Sequence, residues 1–572
     1  MNDFKHLKRL AKSDSPQAHR LKVALLGDSA TQFLSIALRG EAVDRGYNLD
    51  LFEAEYNQVE RQMLDPTSEY YAHNAKYTVI FQSTHKLLES YSLMQVSEQE
   101  LLAERRIEFV RTIATSTEGN IIYFNYPEID NMVFGAYSNR VRSSFVYQLR
   151  KLNYELMNLA QEFGNLFICD ISSLQNTYGR KWLFDPVVYT NTEMLISIDA
   201  LPLVASRTLD IITANEGQIK KCLILDLDNT LWGGVVGDDG WEGIQIGHGL
   251  GIGKAYTEFQ EWIRSLKNRG IIIAVCSKND EEKAKEAFEK NPEMVLKLDD
   301  ISVFMANWNN KADNIRAIQH VLNIGFDSMV FIDDNPFERN LVRENIPQIT
   351  VPEMPEDPSE YLEYLYSLNL FETASYSSND SDRTRQYQIE TQRMSTAQQF
   401  TNEADFLRSL DMKSEVTGFN TFNTPRIAQL SQRSNQFNLR TIRYTEDDIR
   451  SMEQSTDYAT FSFTLEDKFG DNGLICVAIM KILSEEEALF IDTWFMSCRV
   501  LKRGMENFTL NTLVEWAKEH NYKKIIGEYI PTKKNAMVAQ HYPSLGFETM
   551  DNNRFILNVE GYKPLECFIT KK

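Results

Sequence analysis

The chain has 572 residues, 43% of them hydrophobic and 25% charged, which is the balance of soluble globular protein and, by length, material for roughly three or four domains. Its formal net charge is −21, which argues against non-specific nucleic-acid binding, an affinity that comes from neutralising phosphates, and against docking on anionic lipid. Six scattered cysteines with no Cys-x-x-Cys, no apolar signal region behind the basic start and no run long enough to span a bilayer lead to an expectation of free thiols and a cytoplasmic location.

In chain order, Lys22–Leu26 reads as a first strand, ended by Gly27-Asp28-Ser29. Further strands are expected at Asn48–Phe52, Tyr77–Phe81, Asn120–Phe124 and Leu166–Cys169. Helical stretches lie between them, including Ser97–Thr115, opened by a capping box at Ser97-Glu-Gln-Glu100, and Tyr137–Phe163. Such alternation predicts an α/β layer with a largely parallel sheet. Gly-Asp-Ser after a first strand resembles the nucleophile block of SGNH-type esterases. Serine attack needs an oriented base, and that family draws it from a late Asp-x-x-His. Here the late candidate is Asp185-Pro-Val-Val188, and no histidine falls between His85 and His248. A non-hydrolytic relative of that fold is expected over residues 1–218.

The next stretch is the centre of the chain. Cys222–Leu225 is an unbroken apolar run, the mark of a strand buried on both faces, and it ends in Asp226, Asp228 and Thr230. Open α/β sheets place their chemistry at such strand ends. Two carboxylates about 4 Å apart repel by roughly 4 kcal/mol at an effective dielectric of 20, and a cation is the usual remedy; all-oxygen ligation suits magnesium. A glycine-rich flap, Trp232–Gly253, precedes a helix over Lys254–Lys267. Ile271–Cys276 is a second strand, ending in Ser277-Lys278-Asn279, and a charged helix follows over Asp280–Lys290. Ile301–Ala306 is a third strand, after which Trp308-Asn-Asn-Lys311 opens a helix to Leu322. Met329–Ile332 is a fourth, ending in Asp333-Asp334-Asn335-Pro336, and Gln348–Val351 is a candidate fifth.

Carboxylates, hydroxyl, lysine and carboxylates in this order resemble the four motifs of the haloacid dehalogenase superfamily of phosphatases and phosphotransferases. The resemblance implies Asp226 as nucleophile, forming an aspartyl-phosphate, and Asp228 as general acid and base. It implies Ser277, Asn279 and Lys311 as phosphoryl-binding groups, and Mg2+ held by Asp226, the main-chain carbonyl of Asp228, and Asp334, with Asp333 behind them. No inserted cap domain fits the spacings, so the site is expected to be open.

Leu231-Trp-Gly-Gly-Val-Val-Gly-Asp-Asp-Gly240, Val275-Cys-Ser-Lys-Asn279 and Phe331-Ile-Asp-Asp-Asn-Pro336 resemble, more narrowly, the FkbH-like branch. That resemblance runs on through Arg426-Ile-Ala-Gln-Leu430 and Asn435-Gln-Phe-Asn-Leu439. It implies a phosphorylated acid of the glyceryl phosphate type as substrate and an acyl carrier protein as partner. A polar linker, Thr373–Asp382, and a connecting helix, Arg383–Gln399, lead to an α+β region with strands at Tyr458–Leu465, Gly473–Ile482 and Ala488–Phe495. Arg499-Val-Leu-Lys-Arg-Gly504, opening a helix to about Lys518, resembles the pyrophosphate loop of GNAT-type acyltransferases, with Lys502 in place of the first glycine. A phosphopantetheine or coenzyme A arm is the implied cofactor, Cys498, Arg499, Arg503 and Gly504 its candidate site, and Cys498 or Cys276 a candidate acyl-carrying thiol.

The expected architecture is therefore multidomain α/β. An SGNH-like, flavodoxin-like domain spans 1–218, a Rossmann-like phosphatase core 219–372, a linker and connecting helix 373–400, and a GNAT-like α+β domain 401–572. The expected function is a Mg-dependent phosphatase or phosphotransferase coupled to acyl transfer. A stand-alone phosphatase with adaptor outer domains is the alternative, and the complete acidic and basic set argues against a scaffold with a retired site.

Overall fold

The computed structural model describes residues 2–13, 18–376, 383–397, 400–532, 534–550 and 553–572. It divides the chain into two compact units, Met1–Thr213 and Ala214–Lys572.

The first unit holds a parallel sheet of β1 (His19–Gly27), β2 (Tyr47–Glu53), β3 (Tyr77–Phe81), β4 (Asn120–Phe124) and β5 (Leu166–Cys169), in the order β2-β1-β3-β4-β5. This is the expected doubly wound arrangement; β3 is buried along its whole length, as a strand covered on both faces must be. Two helices differ from expectation. The first breaks into Val96–Gln99 and Leu102–Ser116, and its capping box sits two residues early, at Gln95 and Glu98, where the Glu98 carboxylate accepts the main-chain N–H of Gln95. The second starts late: Gly135–Arg140 is a 3-10 turn, and Ser144 caps the helix Phe145–Glu162 by accepting the N–H of Tyr147.

The second unit opens with a parallel sheet of β6 (Cys222–Leu225), β7 (Ile272–Ser277), β8 (Val303–Ala306) and β9 (Met329–Ile332), ordered β8-β7-β6-β9. β6 therefore lies inside the sheet with all four residues buried. The candidate fifth strand is reduced to one bridge, Thr350 to Val330. The expected flap is partly folded: Val236–Gly243 is helical, with Gly240 breaking it at φ 65°.

The last third adds β10 (Met412–Ser414), β11 (Val416–Thr417), β12 (Tyr458–Asp467), β13 (Gly470–Leu483), β14 (Ala488–Met496), β15 (Lys524–Glu528), β16 (Glu548–Thr549), β17 (Arg554–Asn558) and β18 (Ile569–Lys571). β12, β13 and β14 form the antiparallel meander, and after the helix Met505–Glu519 the chain returns parallel to β14 in β15. β14 and β15 pair only over Ala488–Phe490 with Lys524–Ile526. Beyond that the segment Phe437–Leu439 lies between them: Leu439 N–H donates to Trp494 O (3.3 Å), Met496 N–H to Phe437 O (3.1 Å) and Ile530 N–H to Leu439 O (2.9 Å). The motif Asn435-Gln-Phe-Asn-Leu439 thus serves as an inserted strand.

The connecting helix, Arg383–Ala397, belongs to both halves of the second unit. Its Tyr387 packs into the core beside Cys222, Ile272 and Ile315. Its Glu390 and Arg393 join Asp467 and Arg503 in a buried ion cluster. Residues 377–382 of the expected linker, and the last two of the expected helix, lie outside the described residues. No described helix is long and apolar enough to cross a membrane.

Candidate active site

Each parallel strand of the second unit delivers one part of the site. Asp226 leaves β6 and is only 7% exposed, its N–H tied to Ile332 O at 3.0 Å. Asp333 and Asp334 leave β9, and one carboxylate oxygen from each of Asp226, Asp333 and Asp334 lies within 4.8 Å of the others. Lys311, first residue of the helix Lys311–Leu322 that Asn310 caps, places its Nζ 3.0 Å from Asp226 Oδ2 and 2.5 Å from Asp333 Oδ2. Burial works against that ammonium, but the two carboxylates outweigh it and the Lys311 pKa rises. Burial, and next the charge of Asp226, push the Asp333 and Asp334 carboxyls upward. Three crowded carboxylates against one lysine leave negative charge uncompensated, and the donor set is all oxygen: these residues fit magnesium.

Asp228 is placed differently. Its Oδ1 accepts from Trp232 Nε1 (2.9 Å) and the N–H of Val236 (3.0 Å), and its Oδ2 from Asn279 Nδ2 (2.8 Å). Its carboxylate is thus held outside the acidic trio, and Asp333, expected behind the ligands, stands within that trio. Asn279 also reaches Ser277 Oγ at 3.4 Å, so the tip of β7 faces Asp228. Ser277 and Asn279 are both buried.

Several further residues support this set. Thr230 donates to Asp334 Oδ1 at 3.0 Å. Arg339, 5% exposed, donates to the carbonyls of Asp333 (2.8 Å) and Asp334 (2.6 Å), fixing the turn that carries both acids. Asn229 adopts φ 54°, a left-handed conformation that asparagine tolerates, and its carbonyl accepts from Tyr256 and Tyr361. Arg339 falls in the first turn of the helix Pro336–Asn345, a spacing from which its return to the strand tip follows.

The candidate thiol and acyl-arm residues fare unevenly. Cys276 is fully buried, its Sγ against Lys311 O at 3.7 Å, and burial pushes its thiol far above the ordinary value, so it is a core residue. Cys498 is partly exposed, 4.0 Å from the Tyr387 hydroxyl. The side chain of Arg499 lies outside those described. Glu390 and Asp467 hold the buried guanidinium of Arg503, which lines a cavity together with Cys498 and Lys502. Gly504 caps the following helix at φ 77°, and Lys502, too, is left-handed at φ 64°. Burial raises the Glu506 carboxyl, opposed by main-chain hydrogen bonding from Glu506 and Lys502.

In the first unit, Ser29 Oγ is buried with no hydrogen-bond partner among the described residues. His85 stacks on Phe184 at 4.1 Å, and Asp185 caps the helix Pro186–Thr192. No described histidine orients Ser29.

The fold and site define the class: an α/β protein with an acidic all-oxygen site at the carboxyl edge of a parallel sheet. Residues 22–213 match the family model of the FkbH N-terminal domain. The solved N-terminal part of a Bacteroides fragilis protein, described as containing a phosphatase domain complexed with Mg, is 65% identical over 66% of this chain and 100% of its own, with TM-score 0.65. The chain belongs to the FkbH family. A ribosomal-protein alanine N-acetyltransferase from Escherichia coli (16% identity, 26% of this chain, 96% of its own, TM-score 0.21) and a GNAT-family acetyltransferase from Staphylococcus aureus (13%, 26%, 99%, 0.21) are similar over a smaller part. No curated protein matches.

Proposed function

We propose that the second unit is a magnesium-dependent phosphatase or phosphotransferase acting through an aspartyl-phosphate on Asp226, coupled to transfer of a glyceryl-type acyl group to an acyl carrier protein. The observation that carries this reading is the convergence of Asp226, Asp333, Asp334 and Lys311 at one sheet edge. The magnesium in the 65% identical B. fragilis structure supports it. Bound by the carboxylates of Asp226 and Asp334 and the main-chain carbonyl of Asp228, the ion would neutralise phosphoryl oxygens.

An Asp226 oxygen attacks phosphorus while the bond to the leaving oxygen breaks, and Asp228 gives that oxygen its proton. Water then attacks the same phosphorus, Asp228 takes its proton, and phosphate leaves with Asp226 restored. Lys311, Ser277 and Asn279 hold the phosphoryl oxygens. Trp232, Val236 and Asn279 fix the Asp228 carboxylate for both transfers. Exposed aromatic residues, Trp308 and Phe337, follow the tips of β8 and β9, which suits a macromolecular partner.

Phosphate release from a generic phosphate ester is expected with Mg2+, lost in EDTA, abolished in Asp226→Asn and slowed by about 10²–10⁴-fold in Asp228→Asn. Mass spectrometry of a carrier protein incubated with the enzyme and labelled 1,3-bisphosphoglycerate tests the coupling. Phosphate release with an unmodified pantetheine arm would leave the stand-alone phosphatase; a wild type silent on every ester would end both readings.

A further inference from the structure

In the first unit, the order β2-β1-β3-β4-β5 changes direction between β1 and β3. Open α/β sheets bind ligands in the crevice outside the carboxyl ends of the two strands at such a point. Asp28 and Ser29 follow β1 there, and Gln82 and Ser83 follow β3. The two tips are joined: Asp28 N–H donates to Phe81 O at 3.2 Å, and Asp28 Oδ2 accepts the N–H of Ser83 at 2.8 Å. Tyr123 of β4 donates to Gln82 Oε1 (2.7 Å) and shares a hydrogen bond with the Tyr126 hydroxyl (2.6 Å).

Three polar groups here lack partners. Asp28 Oδ1 and Ser29 Oγ are closed to solvent and make no hydrogen bond among the described residues, which are 8% and 1% exposed respectively. The third is Arg106, on the helix Leu102–Ser116. Its Nη1 is likewise closed to solvent and unpartnered, and no hydrogen bond or ion pair joins its guanidinium to any described residue. It lies over the Phe109 ring, 5.7 Å from the centroid. Burial opposes its charge, but Tyr126, Tyr123, Glu60 and Asp28 act on it through space and its pKa rises, so it stays cationic. Burial likewise pushes the Asp28 carboxyl from 3.8 up to about 6, with Arg106 among the groups that pull it back. A buried charge that no protein group pairs is costly, and a guanidinium has five donors to satisfy.

We propose that this crevice binds a small carboxylate that carries a hydroxyl or ammonium group beside it. Arg106 takes the carboxylate, Asp28 Oδ1 takes the neighbouring donor, and Ser29 Oγ bonds to either. The planar fork of a guanidinium matches a carboxylate with two parallel hydrogen bonds. A single positive charge near Asp28 and the exposed Glu60 suits a monoanion; a phosphate dianion would be repelled by both carboxylates. With no histidine to orient Ser29, the site binds without hydrolysing. It lies wholly in the first unit and stands apart from the phosphatase reading.

Isothermal titration calorimetry on the full chain with lactate, alanine and propionate tests the site. Wild type is expected to bind lactate or alanine, and to bind propionate, which lacks the second group, at least about tenfold more weakly. Tighter lactate assigns a hydroxy acid, and tighter alanine an amino acid. Arg106→Met is expected to lose this binding. Because it removes a charge that no protein group pairs, its ligand-free melting temperature is expected to match or exceed that of wild type. Ser29→Ala is expected to weaken binding about tenfold with its melt retained. Binding of none of the three, propionate bound as tightly as the others, binding unaltered in Arg106→Met, or a lowered melt in that variant overturns the proposal. Phosphate release is expected to be unchanged in Arg106→Met, so either reading can fail without the other.

Discussion

Lys311 stands between two buried carboxylates while being itself 3% exposed. Removing one member of such a cluster leaves charge stranded in a low dielectric. Lys311→Met is expected to destabilise the second unit by about 3–5 kcal/mol in urea unfolding, besides ending phosphate release. His541 is a different case. Its ring sits edge-on to Trp494 (4.5 Å) and Phe437 (4.9 Å), and burial drives its pKa from 6.5 down to about 3. The folded state then binds fewer protons than the unfolded chain between these values, so this group removes stability as pH falls below 6.5, by about 1.4 kcal/mol per pH unit. Thermal melts of His541→Phe are expected to lose less stability between pH 7 and pH 5 than the wild type does. Asp226, Ser277 and Lys311 were legible in sequence because each follows a buried strand or opens a helix. The partner of Thr230 was not: Asp334 lies on a loop far along the chain, and which loop meets which is decided in space.

Strands proved more legible than helix ends. Met329–Ile332 is bounded by Ser328 and Asp333, and its apolar run leaves no choice of register. By contrast, the break between Gln99 and Leu102 sits inside a continuous helical pattern, decided by Glu98 reaching back to Gln95. The inserted segment Phe437–Leu439 could not be read from the sequence at all, since its partners, Trp494, Met496 and Ile530, lie far along the chain. Close packing also depends on a glycine within β15. A Cβ on Gly527 would fall 2.3 Å from the ring of the buried Tyr542. Gly527→Ala is expected to cost about 1–3 kcal/mol, read as a lower urea midpoint with unchanged slope.

At the scale of the second unit, the connecting helix is shared by both halves. Tyr387 on that helix enters the phosphatase-like core, while Glu390 and Arg393 meet Asp467 and Arg503 of the last third. Asp467 is wholly buried between two guanidiniums. Asp467→Asn is expected to cost about 3–5 kcal/mol, and because the helix ties both halves together, calorimetry should show the transition of the whole second unit move down. Another tie spans 218 residues: Asn435 Nδ2 donates to Gly217 O at 2.8 Å, and Arg443 holds Asn435 in turn. A ribosome delivers Gly217 and β6 long before Asn435 emerges. The parallel sheet can assemble early in synthesis, but the turn that leads into it stays unfastened at Gly217 until the last third has been made.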